Sequence, residues 1–108
     1  MNKPKRQLTI ADIHGGLKGL QQCLLRCGYN KDEDQLIFTG DYVDGWSESA
    51  QVIDYLITLD QRAKYKSIFI LGNHDEEFIY WLDTGIHAWG WREGAKATLE
   101  SYARLLGI

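Results

Sequence analysis

An α/β architecture, a mostly parallel sheet flanked by helices, is what the pattern of this chain predicts. Short apolar runs alternate with helix-period segments, the order that βαβ units produce. Two of the runs are apolar throughout, as a strand covered on both faces requires. Each run ends at a group of polar residues, where open α/β sheets bind their ligands.

The elements follow in order. Gln7 to Ala11 alternates Leu8 and Ile10 with polar neighbours and predicts a short strand. Apolar residues at three-and-four spacing from Leu17 to Cys27 predict a helix, which Gly28 would end. Gln35 to Thr39, with its Leu-Ile-Phe centre, predicts a second strand. Ser49 to Ala63 places Val52, Ile53, Leu56, Ile57 and Leu59 on one side of a helix, with Ser47 or Ser49 as candidate caps. Ser67 to Leu71 repeats the buried-strand pattern. Asp75 to Asp83 predicts a shorter helix with acidic residues in its first turn, where the dipole favours them. Gly85 to Gly94 reads as a loop rich in Trp, and Ala95 to Leu106 as a last helix.

The chain has 108 residues and is expected to form one domain. Its 44% hydrophobic and 25% charged residues suit a globular protein and exclude disordered or fibrous classes. A formal charge of -3 argues against a phosphate-backbone binder, so no nucleic-acid partner is expected. No apolar stretch reaches the ~20 residues a membrane helix needs, and the basic start, Met1 to Arg6, does not read as a signal peptide. Cys23 and Cys27, four apart on one helical face, read as small core residues of a protein in a reducing cytoplasm.

The polar groups at the strand ends carry the chemistry. Asp12-Ile13-His14-Gly15 places a carboxylate and an imidazole two residues apart, which in an extended chain projects both to one side. Gly40-Asp41-Tyr42-Val43-Asp44 follows the second run and Gly72-Asn73-His74-Asp75 the third. Carboxylate oxygen, imidazole nitrogen and an Asn amide oxygen make a ligand set for Mn, Fe or Zn rather than Cu(I) or an iron-sulfur cluster. Taken singly, each residue also has a structural reading: Asp12 or Asp41 as a cap, Gly72 and Asn73 as turn residues, His14 as a surface imidazole. Their recurrence at three successive strand ends favours a shared site.

The three blocks, with 29 residues from Asp12 to Asp41 and 32 from Asp41 to Asn73, resemble the signatures of the calcineurin-like metallophosphoesterases. The resemblance is to the branch holding serine/threonine protein phosphatases and symmetrical dinucleoside tetraphosphatases, and it extends over the whole chain. Trp89 to Tyr102, with Gly94 and Thr98-Leu99-Glu100-Ser101-Tyr102, is similar to a stretch of the bacterial members. The resemblance implies the first half of an αββα sandwich. It implies two divalent metal ions, with manganese expected and iron or zinc compatible. Asp12, His14 and Asp41 would bind the first, and Asp41 would bridge to a second that also takes Asn73. His74 would donate a proton to the leaving oxygen, and Asp44 would orient His74. The implied reaction is hydrolysis by metal-activated water of a phosphorylated substrate, either phosphoserine or phosphothreonine in a protein or a dinucleoside polyphosphate.

Two departures from the family pattern lead to a second reading. Gly45 stands where the family has an Arg that grips the substrate phosphate, a contact glycine cannot supply. The family also draws two more His ligands from later in the chain. Here His87, 13 residues after His74, is the only His that follows, and it reads as a loop residue. The alternative is therefore a truncated or degenerate, non-catalytic module that binds metal or phosphate. The chain is expected to be an N-terminal portion, incomplete at its C-terminus, with either a second copy or a C-terminal half covering the sheet.

Overall fold

A computed structural model of the chain describes residues 3–92 and 94–107. Met1 and Asn2 of the basic start, and Glu93 of the Trp-rich loop, lie outside the described residues. Three parallel strands, β1 (Arg6–Ile10), β2 (Asp34–Phe38) and β3 (Ile68–Phe69), pair in the order β1-β2-β3. Helix α1 (Leu17–Arg26) connects β1 to β2, and α2 (Ser49–Arg62) connects β2 to β3. Helices α3 (Asn73–Thr84) and α4 (Ala95–Leu106) follow. The α/β class read from the sequence is the one observed.

Register explains where the core sits. Leu8 pairs with Leu36 and Ile10 with Phe38, so these side chains share one face. Leu20 and Leu24 of α1 and Val52 and Leu56 of α2, each pair one helical turn apart, pack on it. The opposite face carries Gln7 against Gln35, joined by a 2.8 Å amide hydrogen bond, and Ile37 against Ile68. Arg6 ties the N-terminal end together. Its guanidinium bonds both carboxylate oxygens of the buried Asp34, at 3.1 and 2.9 Å, and donates to the carbonyls of Cys27 and Gly28 where α1 ends.

Several expectations change. Helix α3 begins at Asn73, not Asp75, because the Asp75 carboxylate accepts the Gly72 N–H at 3.0 Å and closes the first turn around both intervening residues. The N-cap of α2 is Glu48, with no side-chain cap bond. Ser49 instead turns its hydroxyl towards Asp44. Cys23 is exposed and Cys27 half-buried, since Leu20 and Leu24 occupy the core-facing stripe of α1. The third strand is not buried on both faces: its ladder spans Ile68 and Phe69 alone, and Ile68 to Leu71 are 41 to 53% exposed. β3 stands at the edge of the sheet, paired with β2 alone.

Candidate metal and acid–base site

All three strands point their C-terminal ends at one rim, where the loops after β1 and β2 are laced by backbone bonds. The N–H groups of Ile13 and His14 both donate to the Asp41 carbonyl, at 3.1 and 2.8 Å, and that of Gly15 to the Tyr42 carbonyl at 2.9 Å. His14, Asp41 and Asp44 hold φ of 48, 55 and 70°. Residues other than glycine rarely take this left-handed region, at ~1 to 3 kcal/mol each, and it tends to occur where a site demands it. The extended-chain argument for Asp12 and His14 is thereby corrected: the chain turns at His14, and the two side chains converge because of that turn.

Asp12, His14 and Asp41 each bring a ligand atom within 4.8 Å of the others. His14 Nδ1 lies 3.0 Å from the Val43 carbonyl, which can only accept, so the Nδ1 proton is committed there and the Nε2 lone pair is free. Nε2 is 3.6 Å from Asp12 Oδ2 and 3.9 Å from Asp41 Oδ2. The other Asp41 oxygen, Oδ1, accepts the backbone N–H of His74 at 3.0 Å. Gly72 allows this approach, since a Cβ there would sit 2.1 Å from Asp41 Oδ1. No Lys or Arg among the described residues forms an ion pair with Asp12, Asp41 or Asp44. Two carboxylates and a neutral imidazole nitrogen, uncompensated by protein cations, form a donor set that fits one divalent ion. Asn73 is exposed in the first turn of α3, between Gly72 and His74.

A hydrogen-bonded His74–Asp44 pair adjoins this set. His74 Nδ1 lies 2.9 Å from Oδ2 of Asp44, whose side chain is 2% exposed. The His74 ring stands edge-on to that of His14 at 4.9 Å between centroids, and to Trp89 at 4.8 Å on another side. Gly45 holds φ of 124° and lies against His14, where a Cβ would come within 3.2 Å of the His14 Cβ. Its N–H donates to the Gly94 carbonyl, docking the start of α4 on this turn. No side chain extends towards substrate from position 45.

Four residues beyond the sequence-predicted set shape the rim. Asp75, buried at the start of α3, accepts the N–H groups of Asp41 (2.6 Å), Tyr42 (2.8 Å) and Gly72 (3.0 Å). Burial raises its carboxyl above the ordinary range, and these three donors oppose the rise. Tyr42 donates to the Ile70 carbonyl at 2.8 Å, and burial pushes its phenol up to about 12. Thr98 and Ser49, both fully buried, meet the backbone N–H of Asp44 with their hydroxyls. Asp75 and Tyr42 sat inside quoted blocks, and Thr98 inside the similar stretch of α4, so position pointed at them. Nothing in their residue types announced their bonds. His87 stacks on Trp91 at 4.5 Å and does not join the carboxylate cluster.

Comparison with known proteins finds a family, sequence relatives and a structure of similar fold. A family model described as calcineurin-like phosphoesterase matches residues 5–105. The symmetrical bis(5'-nucleosyl)-tetraphosphatase of Buchnera aphidicola subsp. Schizaphis graminum is 40% identical over 70 residues, covering 65% of this chain and 24% of that protein. The protein of the same name from Psychromonas ingrahamii is 33% identical over 79 residues, covering 73% of this chain and 27% of its own. The matched part of the chain thus spans about a quarter of the length of these relatives. A solved cold-active protein-tyrosine phosphatase of a psychrophilic Shewanella superposes over 97% of this chain and 34% of its own, with a TM-score of 0.68 and 16% identity, a likeness of fold.

Proposed function

Because the chain belongs to the calcineurin-like phosphoesterase family, we propose that this rim is a metal-dependent centre for phosphoester hydrolysis. The observation that carries the reading is the convergence of Asp12, His14 and Asp41 beside a second, separately bonded Asp44–His74 pair. Asp12, His14 and Asp41 would hold the first divalent ion, and Asp41 with Asn73 would serve a second, more weakly held one. Manganese is the first choice, with iron or zinc suited to the same donors. Such ions supply positive charge against the phosphoryl oxygens and make water acidic enough to attack.

The remaining steps belong to the protein's own groups. Asp44 accepts the Nδ1 proton of His74, so the ring presents Nε2 as the nitrogen that exchanges a proton with substrate. A proton carried there passes to the departing alkoxide or phosphate oxygen, worth ~10²- to 10⁴-fold in rate for a well-placed acid. The substrate proposed first is a dinucleoside polyphosphate, because the sequence relatives carry that activity in their names. A phosphorylated protein is the competing substrate of the same class. Among the described residues no helix is long and apolar enough to cross a membrane, and the exposed free thiol of Cys23 suits a reducing cytoplasm.

A second reading rests on Gly45. With no guanidinium at this position to clamp phosphate, the chain would bind metal or phosphate without turning it over. Hydrolysis of diadenosine tetraphosphate and of an aryl phosphate in the presence of manganese decides between the two. The first reading predicts turnover that falls by at least about 10²-fold in His74→Asn and to background in Asp41→Asn. Metal binding without turnover of either substrate selects the binding module.

A further inference from the structure

Helix α4 reaches the acid–base pair through one side chain. Thr98, fully buried and 54 positions from Asp44, places its hydroxyl oxygen 2.5 Å from Asp44 Oδ1 and accepts the Asp44 backbone N–H at 2.8 Å. Ser49 Oγ lies 3.2 Å from the same hydroxyl. A threonine hydroxyl has one proton, and an ionised carboxylate is the strongest acceptor within reach, so that proton belongs to Asp44 Oδ1. Asp44 is thereby held at three points: the backbone N–H, Oδ1 by Thr98, and Oδ2 by the 2.9 Å contact to His74 Nδ1.

We propose that Thr98 is a positioning residue for His74. Its hydroxyl fixes the Asp44 carboxylate in the rotation that gives Oδ2 alone to the imidazole, and so selects the His74 tautomer with its proton on Nδ1. The inference rests on the reading of His74 as the proton-exchanging group, but its consequence is structural and can be seen without turnover. Without this hydroxyl, Oδ1 is a buried carboxylate oxygen lacking its donor, and the carboxylate is free to rotate towards another N–H. The Asp44–His74 bond then loses its fixed direction. The docking of α4, secured at the next turn by Ser101, whose Oγ accepts the Ala50 N–H at 3.0 Å, thereby couples a distant part of the sequence to the orientation of the acid.

The test is the tautomeric state of His74, read from the two ring-nitrogen resonances of the ¹⁵N-labelled full chain at a pH where the imidazole is neutral. Wild type and Thr98→Ser, which keeps the hydroxyl, are expected to show His74 protonated on Nδ1. Thr98→Val, which removes the donor at nearly constant volume, is expected to lose that single-tautomer pattern, while His14 keeps its Nδ1 proton on the Val43 carbonyl. An unchanged His74 pattern in Thr98→Val overturns the proposal, as does its loss in Thr98→Ser. Should Thr98→Val fail to fold, Thr98→Ala is read the same way. If both fail while Thr98→Ser folds, the hydroxyl serves stability and the positioning role is rejected. Absence of phosphatase activity in the wild type bears on the proposed function and leaves this readout intact.

Discussion

Tyr42 shows how a single side chain joins the fold to the rim. Its backbone N–H is held by Asp75, its hydroxyl by the Ile70 carbonyl, and its ring lies in the core. Burial raises its phenol to about 12 from an ordinary value near 10. A group whose folded pKa is raised contributes stability that is full below the unfolded pKa and is lost as pH rises through the folded one. The chain is therefore expected to lose stability between about pH 10 and about 12 as the unfolded phenol ionises. Tyr42→Phe should be about 1 kcal/mol less stable at neutral pH, from the lost hydrogen bond, and should show a flatter alkaline limb in denaturant melts across that window. Parallel limbs for the two proteins would show that Tyr42 is not the group that titrates.

At this scale the sequence was legible in its residue types and opaque in its bonds. Asp12, His14, Asp41, Asp44, Asn73 and His74 were named from residue type and place at three strand ends; the structure clusters Asp12, His14 and Asp41 and pairs Asp44 with His74. The tautomer of His14 could not be named, because it depends on the Val43 carbonyl, and any residue has a carbonyl. Asp75 was seen as a favourable charge at a helix start. Its reach to the N–H groups of Asp41 and Tyr42, more than thirty positions away, depends on two loops meeting, which Gly72 permits.

Among the elements, helix placement followed apolar spacing closely, while caps and edges did not. The core stripes of α1 and α2 follow three-and-four periodicity in Leu20, Leu24, Val52 and Leu56, which are buried, while Cys23 and Ile57, read on the same faces, are exposed. The start of α3 was misplaced by two residues because a glycine N-cap leaves no side-chain signal. β3 was read as fully covered because apolar content gives a strand's character and not the number of its neighbours.

The knot between elements is equally hard to read, and it yields a prediction. Arg6 joins the start of β1 to the end of α1 and, through Asp34, to the start of β2. The Arg6 guanidinium holds the Asp34 carboxyl below its ordinary range, and the carboxylate in turn raises Arg6. A depressed carboxyl gives stability that is present above its unfolded pKa, ~3.9, and is lost as pH falls through the lower, folded value. Asp34→Asn should lower stability at neutral pH and weaken the acid dependence below about pH 4, measured by chemical denaturation at successive pH values. Equal acid slopes in variant and wild type would remove Asp34 from that role.

For the molecule as a whole, the sheet is packed on one face and left open at its third strand. The radius of gyration, 14.8 Å, exceeds the ~13 Å of a closed domain of about 100 residues, in keeping with that shape. The exposed run Ile68 to Leu71 lies along the open edge. The segment shared with the curated relatives is about a quarter of their length, so their activity reaches this chain only as a proposal. Within the chain itself, the Asp12–His14–Asp41 cluster and the Asp44–His74 pair stand together.

The claim that Asp12, His14 and Asp41 hold a divalent ion is most directly tested by titrating the chain with manganese and following free Mn(II) by electron paramagnetic resonance. One ion is expected per chain, with affinity falling tenfold or more in both His14→Ala and Asp41→Asn, at least the loss typical of weaker, indirect perturbations of a metal site. Equal affinity in wild type and both variants would contradict it.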